Sequence, residues 1–397
     1  MVIKLYLTKW EEKALAGEYG SILALAIKVL VKVGEALGAE RLIDISHAHI
    51  SGISYFNIGD AGLEFLRDIA HSNYKVKVFT TANPYSAACI KQFIQFIGID
   101  NCKKQLEIIQ ILKNLGIHRD FTCTPYIIKE PRYGEHLAWA ESSAVIYANT
   151  VYGAKTNREG GPLALMAALV GKTYLAGLHL DENREPTLLV ELRLTKLNPM
   201  LASLIGLNIG KITQGSIPYI KSNVHLDMIS IKTLLAAIAT TSDTAMTIIE
   251  GISPDAKKYC SYTSRLEKII IDEGSVKYER DELCSEPDMI FIGCPHVSLE
   301  ELKILERELG NKKIKKPIWV CISNSIMGLA ERMNLVNKLK GLGVVFAPNT
   351  CFVTTPLHKI GIKCVATNSG KAMYYLPKLA KVKVLLASLR DLVKMAR

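Results

Sequence analysis

No stretch of this 397-residue sequence is apolar for long enough to cross a bilayer; the longest candidate, Ile22–Val33, is broken by Lys28 and Lys32. The first ten residues already hold Lys4 and Lys9, and no apolar run ends in a small-residue cleavage site, so a secretory leader is not expected. Among the nine cysteines there is no Cys-x-x-Cys pair, which removes the compact zinc-ribbon and ferredoxin signatures. Convincing internal repeats, low-complexity tracts and long linkers are missing too. Glutamine is scarce beside abundant lysine and isoleucine, a balance that fits a heat-adapted source. Together these absences predict a cytoplasmic, membrane-free chain with reduced thiols, so selected cysteines are read as metal or cluster ligands rather than as bridges.

A hydrophobic fraction of 49% and a charged fraction of 22% are those of a globular protein, and the length exceeds what one core usually serves. The formal net charge of +11 admits nucleic acid, an acidic partner subunit or an anionic substrate. Apart from Lys312-Lys313-Ile314-Lys315-Lys316, which reads as a solvated turn before a strand, the basic residues are scattered, and that argues weakly for nucleic acid.

Helical spacing marks Trp10–Leu15 and Gly20–Leu37. From Arg41 the texture alternates: strands at Arg41–Ile45 and Val76–Thr80, helices at Gly59–Ala70, Ser86–Phe96 and Cys102–Leu115. A helix at Pro162–Val170 opens with proline in its first turn; a strand-like Pro186–Leu194 and a helix at Ile231–Thr240 follow. Asp272–Glu282 is hydrophilic and leads to the clearest block. There Met289–Ile292, Ile318–Ile322 and Val344–Phe346 are strands, Ile326–Leu342 is a helix, and Ser298 with Glu301 forms a capping box opening Leu299–Leu309. The alternation predicts α/β layers with largely parallel sheets, in approximate regions 1–120, 121–285 and 286–397 that α/β folds are free to interleave.

Three cysteines sit in turn-like contexts far apart in the chain: Cys123 in Phe-Thr-Cys-Thr-Pro-Tyr, Cys294 in Phe-Ile-Gly-Cys-Pro-His, and Cys351 in Pro-Asn-Thr-Cys-Phe-Val. Cys294 and Cys351 each follow a strand, where α/β sheets present ligands. Two readings stand side by side: small buried hydrophobes, or thiolates that the fold gathers around a cluster. Cys89, Cys321 and Cys364 lie in apolar runs and read as core; Cys102, Cys260 and Cys284 look incidental.

With their surroundings these residues resemble the large, catalytic subunit of the aconitase X family. The resemblance is carried by Ser46–Ser54 with Asn57–Gly62, by Thr81-Ala82-Asn83-Pro84, by Thr122–Tyr126, by Glu141-Ser142-Ser143, and by the stretch from Asn149-Thr150-Val151-Tyr152-Gly153 to Arg158-Glu159-Gly160-Gly161. Gly177–Asp181, Gly293-Cys294-Pro295-His296, Asn349-Thr350-Cys351 and Ser369-Gly370-Lys371 complete it, nearly end to end. Asn349 and Lys155 depart from the pattern, where an acid and an arginine are expected, and both are read as positions that could alter substrate preference.

The resemblance implies an aconitase-like multi-layer α/β/α catalytic core lacking the swivelling domain, which a separate small subunit supplies. It implies a 4Fe-4S cluster on Cys123, Cys294 and Cys351, and substrate contacts at Gly52, Ile53, Ser54, Asn83, Pro84, Glu141, Ser142 and Lys371. A stand-alone chain of this length resembles the archaeal branch that dehydrates (R)-5-phosphomevalonate to trans-anhydromevalonate 5-phosphate for isoprenoid synthesis; fused bacterial relatives dehydrate cis-3-hydroxy-L-proline. An RNA-binding apo form is a reading of another class. The proton acceptor is expected on the small subunit as a serine, with Glu141, His49 and Arg158 as candidates here for proton handling, hydroxyl departure and carboxylate binding. The plainer readings are Glu141 as a helix-start acid, His47 and His49 as a structural pair on one strand face, and Arg158 as a partner of Glu159. Gly160-Gly161-Pro162 is either an anion-binding helix start or a plain turn.

Overall fold

The computed structural model describes residues 5–276, 284 and 286–397. Short β-rich runs joined by helical crossovers pair in parallel here, because each crossover returns the chain to the same end of the sheet, apart from Leu42–Asp44, which pairs antiparallel with Lys172–Tyr174. Three parallel sheets result. The first orders Phe79–Ala82, His47–Ile50 and Leu137–Trp139, covered by the helices Ser21–Ala36, Tyr55–His71, Ile99–Asn114 and Gly161–Val170. Its core joins residues on both sides of position 120, from Leu23 and Leu112 to Ala138 and Leu169.

The second sheet orders Glu267–Asp272, Leu188–Arg193, Pro218–Ser222 and Ile248–Ile249. The helices Pro199–Thr213 and Met228–Thr241 pack against each other beside it. The third orders Val345–Pro348, Ile318–Ile322, Met289–Ile292, Cys364–Thr367 and Lys383–Leu386. From its central strand Met289–Ile292 the chain first builds to one side, then returns to the other. That reversal opens a crevice at the strands' carboxyl ends, where the loops at Cys294 and at Ser369–Lys371 emerge. A two-residue parallel pairing of Thr350–Cys351 with Tyr85–Ser86 stitches this unit to the first. Among the described residues no helix is long and apolar enough to cross a membrane.

The last unit matches its sequence reading most closely, with Met289–Ile292, Leu299–Leu309 and Ile318–Ile322 as expected and the Ser298–Glu301 capping box formed. Elsewhere long-range contacts override local pattern. The expected helix Ser86–Phe96 is divided into a strand, a 3-10 turn and the helix Lys91–Ile97, because Tyr85–Ser86 is recruited by Thr350–Cys351. The expected helix Ile326–Leu342 is broken at Asn334, whose φ of 56° is left-handed, into Asn324–Arg332 and Leu335–Gly341. Most of Asp272–Glu282 lies outside the described residues.

Four cysteines read one by one as core or incidental are paired: Cys89 with Cys102 and Cys284 with Cys364, at Cα separations of 5.0 and 5.6 Å. Local context gave no sign of this, since each partner is delivered by the fold. Cys321 is buried in an apolar cluster, as expected, and Cys260 is exposed.

Asp120 joins the first unit to the third. Its two carboxylate oxygens accept the backbone N–H groups of Asn324 (2.7 Å) and Ser325 (2.8 Å), the orphan donors of the helix Asn324–Arg332. Asp120→Ala is expected to cost about 1–2 kcal/mol, the range of a lost cap. Amide exchange at Asn324 and Ser325 should accelerate with it; unchanged exchange there would show that the cap carries no weight.

Candidate active site

A cavity of about 290 Å³ opens at the crevice of the third sheet, between it and the first unit. Its lining includes Cys123, Cys294 and Cys351, so the fold does gather the three turn cysteines. Gly52, Ile53, Ser54, Asn83, Pro84, Glu141, Ser142, Arg158 and Lys371 share that lining. His49 does not: it is fully buried behind Asn83, whose Oδ1 lies 2.8 Å from His49 Nε2.

The positions follow from local chain geometry. Ser51–Ser54 leaves the carboxyl end of the strand His47–Ile50, and Asn83 leaves the neighbouring strand Phe79–Ala82, its N–H donating to Ile50 O at 2.8 Å. Gly161 is required because a Cβ there would stand 2.3 Å from Ser51 O; the Gly160-Gly161-Pro162 turn thus lets a helix approach the 51–54 loop. Gly293 has a φ of 104°, and a Cβ would meet Cys321 O at 2.2 Å, so only glycine leads the chain into Cys294.

His296 holds the cysteine loops together. Its N–H donates to Cys123 Sγ (3.3 Å), and Nε2 donates to Thr350 O (3.0 Å), next to Cys351. In a neutral ring Nδ1 is then bare and accepts from Thr122 Oγ1 (3.1 Å), next to Cys123. Its carbonyl accepts from Lys232 Nζ (3.1 Å), on a helix of the second unit. Burial keeps the imidazole neutral, lowering its pKa to about 4. Ser369 Oγ donates to Cys294 O and accepts from Ala372 N (3.1 Å), capping the helix that carries Lys371.

Burial pushes the Cys294 thiol up to about 12 and those of Cys123 and Cys351 upward as well; an adjoining metal charge would favour the thiolates instead. Among the described residues no three His, Cys, Asp or Glu side chains are gathered tightly enough for a single ion. Three thiols lining one cavity are the donor chemistry that an iron–sulfur cluster takes.

Glu141 and Lys371 form a largely buried ion pair facing the cavity. Burial alone would raise the carboxyl pKa. The Lys371 ammonium overrides it, with Asn83 Nδ2 (2.6 Å) and Ser143 also donating, and holds Glu141 down at about 2. Glu141 is also the N-cap of Ser142–Tyr147, so the helix-start role and the cavity role coincide. Arg158 donates to Ser242 O (3.0 Å) and lies 3.8 Å from Asp243, while Glu159 bonds Tyr174 (2.9 Å); they do not form the bridge considered above. Neither departure from the family pattern lines the cavity: Asn349 is left-handed and buried, accepting from Asn324 N (3.1 Å), and Lys155 pairs with Asp181 (2.8 Å).

Sequence reasoning missed Gln105. Fully buried, it accepts from Tyr55 N (3.0 Å) and Ser86 Oγ (3.1 Å) and donates to Ile53 O (3.2 Å), tying the 51–54 loop to the strand that pairs with Cys351. A glutamine within a helix gives no local sign of such a task.

The aconitase X first-, second- and third-domain family models match residues 4–182, 186–281 and 287–397. The chain is 42% identical to the phosphomevalonate dehydratase large subunit of Methanocaldococcus jannaschii, over 98% of this chain and 100% of that one. To the protein of that name from Aeropyrum pernix it is 40% identical with the same coverage. A cis-3-hydroxy-L-proline dehydratase of Pseudomonas aeruginosa is 30% identical over 98% of this chain and 70% of its own length. The crystal structure of holo aconitase X from Thermococcus kodakaraensis superposes with a TM-score of 0.91 at 38% identity, covering 99% of this chain and 100% of that one.

Removing Lys371 tests the electrostatics. Lys371→Met leaves Glu141 buried and unpaired, which is expected to cost about 3–5 kcal/mol, and Lys371→Met with Glu141→Gln should recover much of it. The signs are opposite in the two proteins. Wild-type Glu141, with its pKa depressed to about 2, contributes stability above the ordinary carboxylate range that is lost as pH falls towards about 2. In the variant, burial raises that pKa, so its stability should fall as pH rises. Urea denaturation from about pH 4 to pH 7 should show the difference widening with pH; a constant difference would contradict the pairing.

Proposed function

The chain belongs to the aconitase X family, and on that premise we propose that it is the large, catalytic subunit of a hydro-lyase that converts (R)-5-phosphomevalonate to trans-anhydromevalonate 5-phosphate, completed by a small swivelling subunit. The observation that carries this reading is one cavity lined by three separately delivered thiols and by Lys371 and Arg158, in a chain most of whose length aligns with archaeal large subunits bearing that name. Cys123, Cys294 and Cys351 would hold a 4Fe-4S cluster. When bound, it supplies a Lewis-acidic iron free of cysteine, suited to polarising a tertiary hydroxyl and a carboxylate.

The chain's own residues supply binding and orientation. Lys371 brings a fixed positive charge, and Arg158 a second, towards the substrate's carboxylate and phosphate. Gly52 and Ile53 offer backbone N–H groups, while Ser54, Asn83 and Ser142 offer hydroxyl and amide groups. Glu141 is best assigned to holding Lys371 in place: it is saturated by donors and too weak a base, at about 2, to take a proton from carbon 2. His49 sits behind Asn83, and His296 has every polar group engaged. Since no poised base stands among these residues, proton abstraction falls to the small subunit, for which the family reading names a serine. The isolated chain is then inactive.

Anaerobic reconstitution with the small subunit, assayed on mevalonate 5-phosphate and on cis-3-hydroxyproline, decides the substrate. Turnover of the phosphate ester alone is expected; consumption of hydroxyproline alone would overturn the choice. Cys123→Ser, Cys294→Ser and Cys351→Ser should each abolish the broad visible absorption of the cluster, whereas Cys89→Ser should keep it. Loss of absorption in all four would defeat the ligand assignment.

A further inference from the structure

Behind the cavity wall a run of buried hydrogen bonds leads away from Glu141. We propose that His47 and Thr81, neither of which reaches the cavity, are positioning residues that fix the tautomer of His49, through it the orientation of the Asn83 amide, and so the setting of the Glu141 carboxylate.

The polarity of this run can be read from its cavity end. Lys371 can only donate and ionised Glu141 can only accept, so the Asn83 group at 2.6 Å from Glu141 Oε2 must be the amide nitrogen. Asn83 Oδ1 then faces His49 Nε2 at 2.8 Å, and that nitrogen must carry a hydrogen. His49 is fully buried and neutral, which leaves Nδ1 bare to accept from Thr81 Oγ1 at 2.7 Å. Thr81 has one proton and has given it to His49, so it must accept from His47 Nε2 at 2.9 Å. Every donor therefore points towards Glu141, and reversing any one member places two acceptors or two donors face to face in a buried setting.

The rings are held for this. His47 packs edge-on to Phe79 (5.0 Å) and Trp139 (5.1 Å), and His49 to Trp139 (6.1 Å). The charged or titratable groups facing them are Lys129 and His118 towards His47, and Glu141 towards His49. A packing role alone would need only ring shape; the alternation of roles also needs the Thr81 hydroxyl.

Thr81→Val keeps the shape and deletes the hydroxyl, and Thr81→Ser restores it. In the apo chain labelled with ¹⁵N-histidine, long-range proton–nitrogen spectra should show wild-type His49 as the Nε2–H tautomer alone, retained in Thr81→Ser and mixed in Thr81→Val. In the reconstituted complex Thr81→Val should lose about 10–100-fold in kcat/KM, the usual effect of a partner behind a site residue, with Thr81→Ser within about threefold of wild type. An Nδ1–H tautomer at wild-type His49, an unchanged Nε2–H tautomer in folded Thr81→Val, or a folded Thr81→Val of full activity would overturn the proposal. The activity measurement rests on the dehydratase reading; the tautomer measurement does not, and it decides the proposal even if the complex acts on another hydroxy acid.

Discussion

The imidazole of His296 and its peptide group tie the site together. Two ring nitrogens, one N–H and one carbonyl each have a partner, and those partners lie in the loop of Cys123, the loop of Cys351 and a helix of the second unit. Because His296 is two residues from Cys294, one buried residue sets the separation of all three thiols. Each bond taken alone is modest, about 1 kcal/mol net, but leaving a buried partner unsatisfied costs more. The arrangement is therefore all-or-none: a shift of one cysteine loop strands polar groups in the other two.

The second constraint is charge. A lysine and a glutamate are placed in a water-poor wall, at a desolvation cost that only close pairing and further donors offset. What the fold gains is a cation whose position is determined before any ligand arrives, backed by Asn83 and Ser143 and by the histidine run behind them. Preorganised charge of this kind is the part of catalysis a static scaffold can supply. A proton acceptor is a different matter: it has to be weakly bonded and basic, and the groups around Glu141 are neither. The proposed division of binding and proton transfer between two polypeptides would resolve that incompatibility.

What the sequence disclosed depended on the range of the determining contact. The strand Met289–Ile292, the Ser298–Glu301 cap and the placing of Cys294 beyond a strand end are local or nearly so, and they were legible. The residues expected to contact a substrate were reached through family motifs, and the fold does bring them to one cavity. The two disulfides, the division of Ser86–Phe96, the cap from Asp120 to Asn324, and Gln105 were not legible, because each depends on a partner brought from elsewhere in the chain. His49 was legible as a candidate but not as a residue placed behind the wall. A strand pattern shows which face a side chain takes, and not that Asn83 stands in front of it.

The claim on which the rest stands is that Cys123, Cys294 and Cys351 together hold the cluster. Alkylation of the folded chain before and after anaerobic loading, mapped by mass spectrometry, measures this directly. Loading is predicted to protect those three thiols and to leave the exposed Cys260 reactive. Protection of a different set, or reactivity of any one of the three in the loaded protein, would contradict it.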